Sequence, residues 1–182
     1  MKVDPGLIAA VPQERAARLR GMLVRALRVL AVVAVGLLTG LAFAHLLEQP
    51  AKLHYDADLY LTLQKTLYAA WGARAGWLEP AAIAATIALA AVLHRERQTF
   101  ALTLGALGAL LLAFPVVFLL FVAPANEAFR AATTVPAHWE LLRSRWEAGQ
   151  VLRFVLQFAA LCLLVISVVR DTPRERSGGP AA

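Results

Sequence analysis

The sequence predicts an all-α protein, an integral membrane four-helix bundle with an amphipathic helix in the first outer loop. Three observations carry that prediction. Of the 182 residues, 60% are hydrophobic and 16% are charged, with a mean hydropathy of +0.64; soluble domains are about 45–50% apolar and about 25% charged. The apolar residues collect into four long runs, and the arginines gather at the ends of those runs. A chain this short has too little interior to hide so much apolar surface from water. The same totals exclude disorder. The net charge of +6 does not signal nucleic acid, because the cations flank apolar runs instead of forming a patch with interleaved aromatics. The single cysteine, Cys162, rules out an internal disulfide and a CxxC pair.

Residues 1–28 form a basic segment preceding the first span, 29–47, which has no formal charge and contains His45. At 1.5 Å per residue, about 20 residues cross a hydrocarbon core of about 30 Å. A cleaved signal peptide competes for this region, since Ala42-Phe43-Ala44 imitates a cleavage site. The basic segment is long for one, so the uncleaved span is taken. Pro50 ends the span, and Asp56 is placed to cap a helix running to about Trp71. Leu59, Leu63, Leu67 and Ala70 give that helix an apolar face at helical spacing, while Tyr60, Tyr68 and Trp71 read as interfacial aromatics. The second span, 77–93, is alanine-rich and opens on Glu79. The third, 100–123, has no ionisable residue and is kinked by Pro115. A loop starting at Pro124 leads to a helical approach from Trp139 to Gly149, and then to the fourth span, 151–169. The tail, 170–182, reads as disordered. Gly36, Gly40 and Ala44, and likewise Ala101, Gly105 and Ala109, recur every four residues, the pattern that lets helices approach closely in lipid.

Orientation follows the cations. Eleven Lys and Arg flank the cytoplasmic side in this arrangement, against six on much longer opposite loops. Both termini are therefore expected in the cytoplasm, with the chain in the cell membrane.

Ionisable groups inside a membrane are costly, so each needs a partner and is a functional candidate. His45 lies 17 residues from the Arg28 anchor, roughly 25 Å deep, and Arg153 lies as far from Arg170. Glu48, Glu79 and Asn126 fall at the same outer level, so all four spans bring a polar group to one zone. His45 and Glu48 share a helical face, with Lys52 a turn beyond if the helix persists. Trp139, Arg143, Trp146, Gln150 and Arg153 are spaced by four and three, giving one face with two indoles and two guanidiniums. Such a wall suits a planar acidic phenol or quinone. The competing reading is structural: Arg153 or Arg143 neutralises Glu48, and the tryptophans anchor the interface. A metal site would need three or four ligands; His94 sits at the cytoplasmic end and His54 and His138 lie in outer loops, so none is expected. Haem through His45 stays open but lacks an evident second axial ligand, and the sequence requires no cofactor.

The segments Ala44-His45-Leu46-Leu47-Glu48-Gln49-Pro50-Ala51-Lys52-Leu53, Tyr60-Leu61-Thr62-Leu63-Gln64, Pro124-Ala125-Asn126 and Leu142-Arg143-Ser144-Arg145-Trp146-Glu147, with Trp139 and Arg153, together resemble the anthrone oxygenase-like family of small four-helix membrane proteins. The likeness runs from about residue 29 to 169 and points to its bacterial branch, hence an inner membrane. It implies four spans with the motif-bearing ends on one side. It also implies an oxygenase-like reaction, without a known cofactor, on a lipophilic phenol, anthrone or quinol. His45 and Glu48 would then be catalytic, and Trp139, Arg143, Trp146, Gln150, Arg153, Asn126 and Gln64 would bind substrate. One departure is Gln150, where the family pattern leads us to expect a histidine. The alternative is a non-catalytic module that binds a lipid, a small hydrophobic ligand or a partner helix in the same zone. The lipid bilayer and a lipophilic small molecule are the expected partners, and the oligomeric state is left open.

Overall fold

A computed structural model describes the chain over residues 5–171, with side-chain surroundings over 13–170. The chain is helical almost throughout, without a strand among the described residues. Helix α1 (Pro5–Lys52) is followed by α2 (Ala57–Leu63), a wide π-helical segment at Gln64–Tyr68, and α3 (Ala69–Ala75). Helices α4 (Leu78–Leu93) and α5 (Arg97–Leu111) come next, then a second wide segment at Leu112–Val122, α6 (Ala123–Ala131) and α7 (Trp139–Asp171). Four stretches are long and apolar enough to cross a membrane: Gln13–Lys52, Ala57–Leu93, Arg97–Ala131 and Trp139–Arg170. Each expected span is thus part of a longer helical rod. The basic segment is continuous with the first rod, and Pro50 sits in its last turn without ending it. Of the tail expected to be disordered, Arg170 and Asp171 still belong to α7, and the rest lies outside the described residues.

Helix α1 packs on α4 and α7, and α5 closes the ring by packing on the same two. Alanine is what lets them approach: Ala31, Ala82, Ala106 and Ala160 are fully buried beside Val35, Leu89, Leu110 and Leu164. The outward faces are apolar too, with Leu30, Leu37, Leu120, Val155 and Phe158 more than half exposed. Continuous apolar surface of that kind is a liability in water and ordinary in lipid.

The small-residue stripe of the first span behaves otherwise than expected. A side-chain carbon added at Gly36 or Gly40 would meet nothing within 4 Å, so this face is open rather than packed. The close approach occurs at Gly149 on α7, where an added carbon would lie 2.7 Å from Val122 Cγ2 and 3.0 Å from Phe121 Cβ. Gly105 partly fulfils its role, facing Leu163 Cδ1 at 3.2 Å. Pro115 falls inside the wide segment Leu112–Val122, so the disturbance it causes is spread over several enlarged turns.

The helix expected over the 57–71 region also differs. Asp56 caps α2 as expected, its carboxylate accepting from the Leu59 amide at 2.8 Å. But Leu59 and Leu67 point outward, and Tyr60, Gln64 and Tyr68 are the buried face. In water the leucines would turn inward; where the exterior is apolar, the polar and aromatic stripe takes the interior. The segment then runs into α4 after a two-residue break, so the helix expected to lie on, or fold into, the outer mouth is part of one long rod.

Candidate functional site

The polar end of the four rods is built around the last two turns of α1. Because that helix persists past Pro50, His45, Glu48 and Lys52 follow one another along its inner face. The His45 ring is enclosed on three sides, its centroid 5.1 Å from Tyr68, 5.2 Å from Trp71 and 5.1 Å, edge-on, from Trp146. Its Nδ1 lies 3.9 Å from Glu48 Oε2. Tyr68 donates its hydroxyl to the same carboxylate oxygen at 2.7 Å.

Lys52, deeper in the packing than its type suggests, is 1% exposed. Its ammonium lies 3.1 Å from Glu147 Oε2 and 3.9 Å from Glu48 Oε2, with the rings of Trp146 and Tyr68 at 4.7 and 5.2 Å. Tyr60 donates to Glu147 Oε1 at 3.2 Å and accepts from the Gln64 amide at 3.1 Å. A buried charge survives only with such company. The sequence of groups from His45 through Glu48, Lys52, Glu147 and Tyr60 to Gln64 is therefore one connected network linking α1, α2 and α7.

A second ion pair lies one to two turns deeper. Arg153 reaches Glu79 on α4, Nη2 to Oε2, at 2.6 Å, and donates Nη1 to Gln150 Oε1 at 3.1 Å. Gln157 donates to the other Glu79 oxygen at 3.0 Å. The expected pairing of Glu48 with Arg153 or Arg143 is thus corrected. Glu79 on α4 meets Arg153 on α7 across the interior of the ring, while Glu48 turns toward Lys52 and Tyr68. Arg143 instead lies over the Trp139 ring at 4.5 Å and donates to the carbonyls of Leu53 and Tyr55, both at 3.3 Å. It ties the start of α7 to the turn after α1.

Between the two networks is a cavity of about 320 Å³. His45, Trp146, Asn126, Gln150, Arg153 and Glu79 face it, with Phe114 and Phe118 supplying an apolar wall. That size is at the low end of small-molecule pockets, and the mixture of rings with a few convergent polar groups is their usual lining. The Trp146 indole is held in place by donation to Asn126 Oδ1 at 2.8 Å.

Of the residues expected to bind, His45, Asn126, Trp146, Gln150 and Arg153 meet at this cavity. Glu48 stands behind Tyr68 and His45 without lining it, and Trp139, Arg143 and Gln64 lie nearer the end of the rods. The sequence reading gave Glu147 and Gln157 no site role, and took Tyr60 and Tyr68 for interface markers. Their signal was present: Tyr60, Gln64 and Tyr68 are spaced by four, and Glu147 and Gln157 extend the inward stripe of α7. Among the described residues, no group of three or more His, Cys, Asp or Glu is placed to hold a metal.

Compared with known proteins, the chain matches no family model, no curated protein and no solved structure.

Proposed function

We propose that this chain is a four-helix membrane bundle with both termini cytoplasmic. Its outer-side cavity takes a small planar phenol, anthrone or quinol, in the manner of the anthrone oxygenase-like family. The observation that carries the reading is His45: a histidine facing a ring-lined cavity whose other wall holds Arg153. The apolar outer surfaces and the eleven-to-six cation asymmetry support the membrane placement. Trp146, Phe114 and Phe118 offer faces to a flat ring system.

In the catalytic form of this reading, His45 removes a proton from the bound substrate, which becomes an electron-rich anion. Glu48, 3.9 Å from His45 Nδ1, stabilises the imidazolium that forms. Arg153, held flat by Glu79 and Gln150, presents positive charge to the substrate oxygen in a water-poor space. Dioxygen is the co-substrate and accepts the electrons; an anthrone plus dioxygen yields the quinone plus water. The second reading, binding without turnover, is favoured by Gln150, which lines the cavity but cannot titrate where the family pattern would have a histidine.

The test uses purified protein in detergent. Saturable quenching of tryptophan fluorescence by a hydrophobic quinone, together with oxygen uptake on adding an anthrone, is expected, and His45→Gln should abolish uptake while retaining quenching. Quenching without uptake assigns the chain to the binding reading. Absence of saturable quenching overturns both.

A further inference from the structure

At the opposite, basic end of the rods, a furrow of about 1140 Å³ runs between the first half of α1 and the last turns of α7. Its floor and sides are valines: Val24, Val29, Val32 and Val33 from α1, with Val165 and Val169 from α7. Val29, Val33 and Val169 are each more than half exposed, so the furrow is open along its length. Arg20, Arg25 and Arg28 line its mouth, with Glu96 from the turn before α5. Glu96 stands 4.0 Å from both Arg20 and Arg28, and Arg20 also donates to the Val92 carbonyl at 3.3 Å. Arg20 shares Glu96 with Arg28, and Arg25 makes no ion pair among the described residues, so the mouth presents positive charge.

We propose that this furrow binds an anionic glycerophospholipid, its phosphate on the arginines and an acyl chain along the valines. The complement is specific to an amphiphile. A free phosphate would use only the mouth and a neutral lipid only the trough. Guanidinium is the natural partner of a phosphate oxygen pair, and basic recesses between membrane helices on the cytoplasmic side are where anionic headgroups settle. From Val24 to Val33 the trough is roughly 14 Å long, close to one leaflet's half of a hydrocarbon core of about 30 Å. Ala17 and Gly21, small residues on the same face of α1, leave room beside Arg20 for a headgroup. Glu96 holds two of the arginines in place against the turn between α4 and α5. The inference rests on the membrane placement proposed above and not on the His45 cavity, which lies at the other end.

The experiment is native mass spectrometry of the full chain in detergent, with phosphatidylglycerol and phosphatidylcholine of identical acyl chains. Soluble glycerophosphoglycerol is added as a competitor, and quinone quenching is measured in parallel. Phosphatidylglycerol should be retained at least about tenfold better, with each arginine worth about fivefold near an anionic surface. Arg25→Gln, at an exposed position, should lose about fivefold; Arg20→Gln with Arg25→Gln should approach the phosphatidylcholine level. Val33→Trp should weaken both lipids by obstructing the trough. Arg74→Gln with Arg145→Gln, exposed at the other end, should change nothing. Equal retention of the two lipids overturns the proposal, as does equal loss in the Arg74/Arg145 control. Full displacement by the soluble headgroup would show an anion site and not a lipid site. Lipid selectivity without quinone quenching would leave this inference standing while the reading of the His45 cavity falls.

Discussion

The pair formed by Glu79 and Arg153 gives the sharpest test of how the interior is organised. The two side chains are 7% and 13% exposed, and their 2.6 Å contact is the shortest ion pair among the described residues. Removing one partner strands the other charge in the buried interior, which typically costs about 3–5 kcal/mol. For a chain of this size each kcal/mol moves the melting temperature by about 2–4 °C, so Glu79→Gln or Arg153→Met should each lower it by about 6–20 °C. The double variant, Glu79→Gln with Arg153→Met, leaves neither charge and should melt well above the sum of the single losses, with a coupling of about 3 kcal/mol. Thermal unfolding in detergent, followed by tryptophan emission, reads all four corners of the cycle. Glu48→Gln in an Arg153→Met background supplies the contrast, because Glu48 engages Tyr68, His45 and Lys52 instead. Strictly additive losses for Glu79 and Arg153, or coupling between Glu48 and Arg153, would refute the arrangement.

Other outcomes follow from the same geometry. Gly149→Ala should destabilise by about 1–3 kcal/mol through overpacking against Val122 and Phe121, whereas Gly40→Ala, facing open space, should be neutral or stabilising by up to about 1 kcal/mol; paired melts decide it. Glu147→Gln should cost about 3–5 kcal/mol by leaving Lys52 with only the longer Glu48 contact, and Lys52→Met added to it should recover much of that loss; if the second change makes matters worse, the pair is not what holds α1 to α7 there. A reporter fused to the C-terminus should register on the cytoplasmic side and one inserted at Thr134 on the outside; matching signals would remove a span. Trp146→Ala should raise the quinone concentration for half-quenching at least about fivefold, since it removes a stacking face worth about 1 kcal/mol, while Cys162→Ser should leave it unchanged.

Much of the fold was legible because length and hydropathy dominate it: four apolar runs with cations at their ends admit few arrangements. The spacing of Trp139, Arg143, Trp146, Gln150 and Arg153 likewise marked the face of α7 that turns inward. What failed were inferences about which way a side chain faces. The leucines of the 57–71 region were read as the apolar face of an amphipathic helix and the tyrosines as interfacial markers; Tyr60, Gln64 and Tyr68 instead form its buried face. Gly36 and Gly40 were assigned to packing because small residues let helices close, but spacing does not say which face meets a neighbour. Depth counting brought Glu48 and Arg153 to one level, and depth alone cannot say around which side of a rod a carboxylate projects. Lys52 was conditional on a helix outlasting Pro50, a proline tolerated in a last turn.

The wide segment at Leu112–Val122 has a consequence for how the third rod keeps its two ends in phase. Each enlarged turn absorbs a residue more than an ordinary one, and a residue corresponds to about 100° of rotation in an α-helix. Everything beyond it, including Asn126 beneath the Trp146 indole and Phe129 against Tyr60, is therefore clocked by how many residues the segment contains. Deleting a single residue such as Val116 would swing that end about a quarter turn or more, carrying Asn126 off its indole, although no side chain at the cavity had been touched. In that sense the segment works as a gear between the buried alanine seam and the polar end. Its length, more than the identity of its outward-facing residues, is what substitution experiments should find hardest to change.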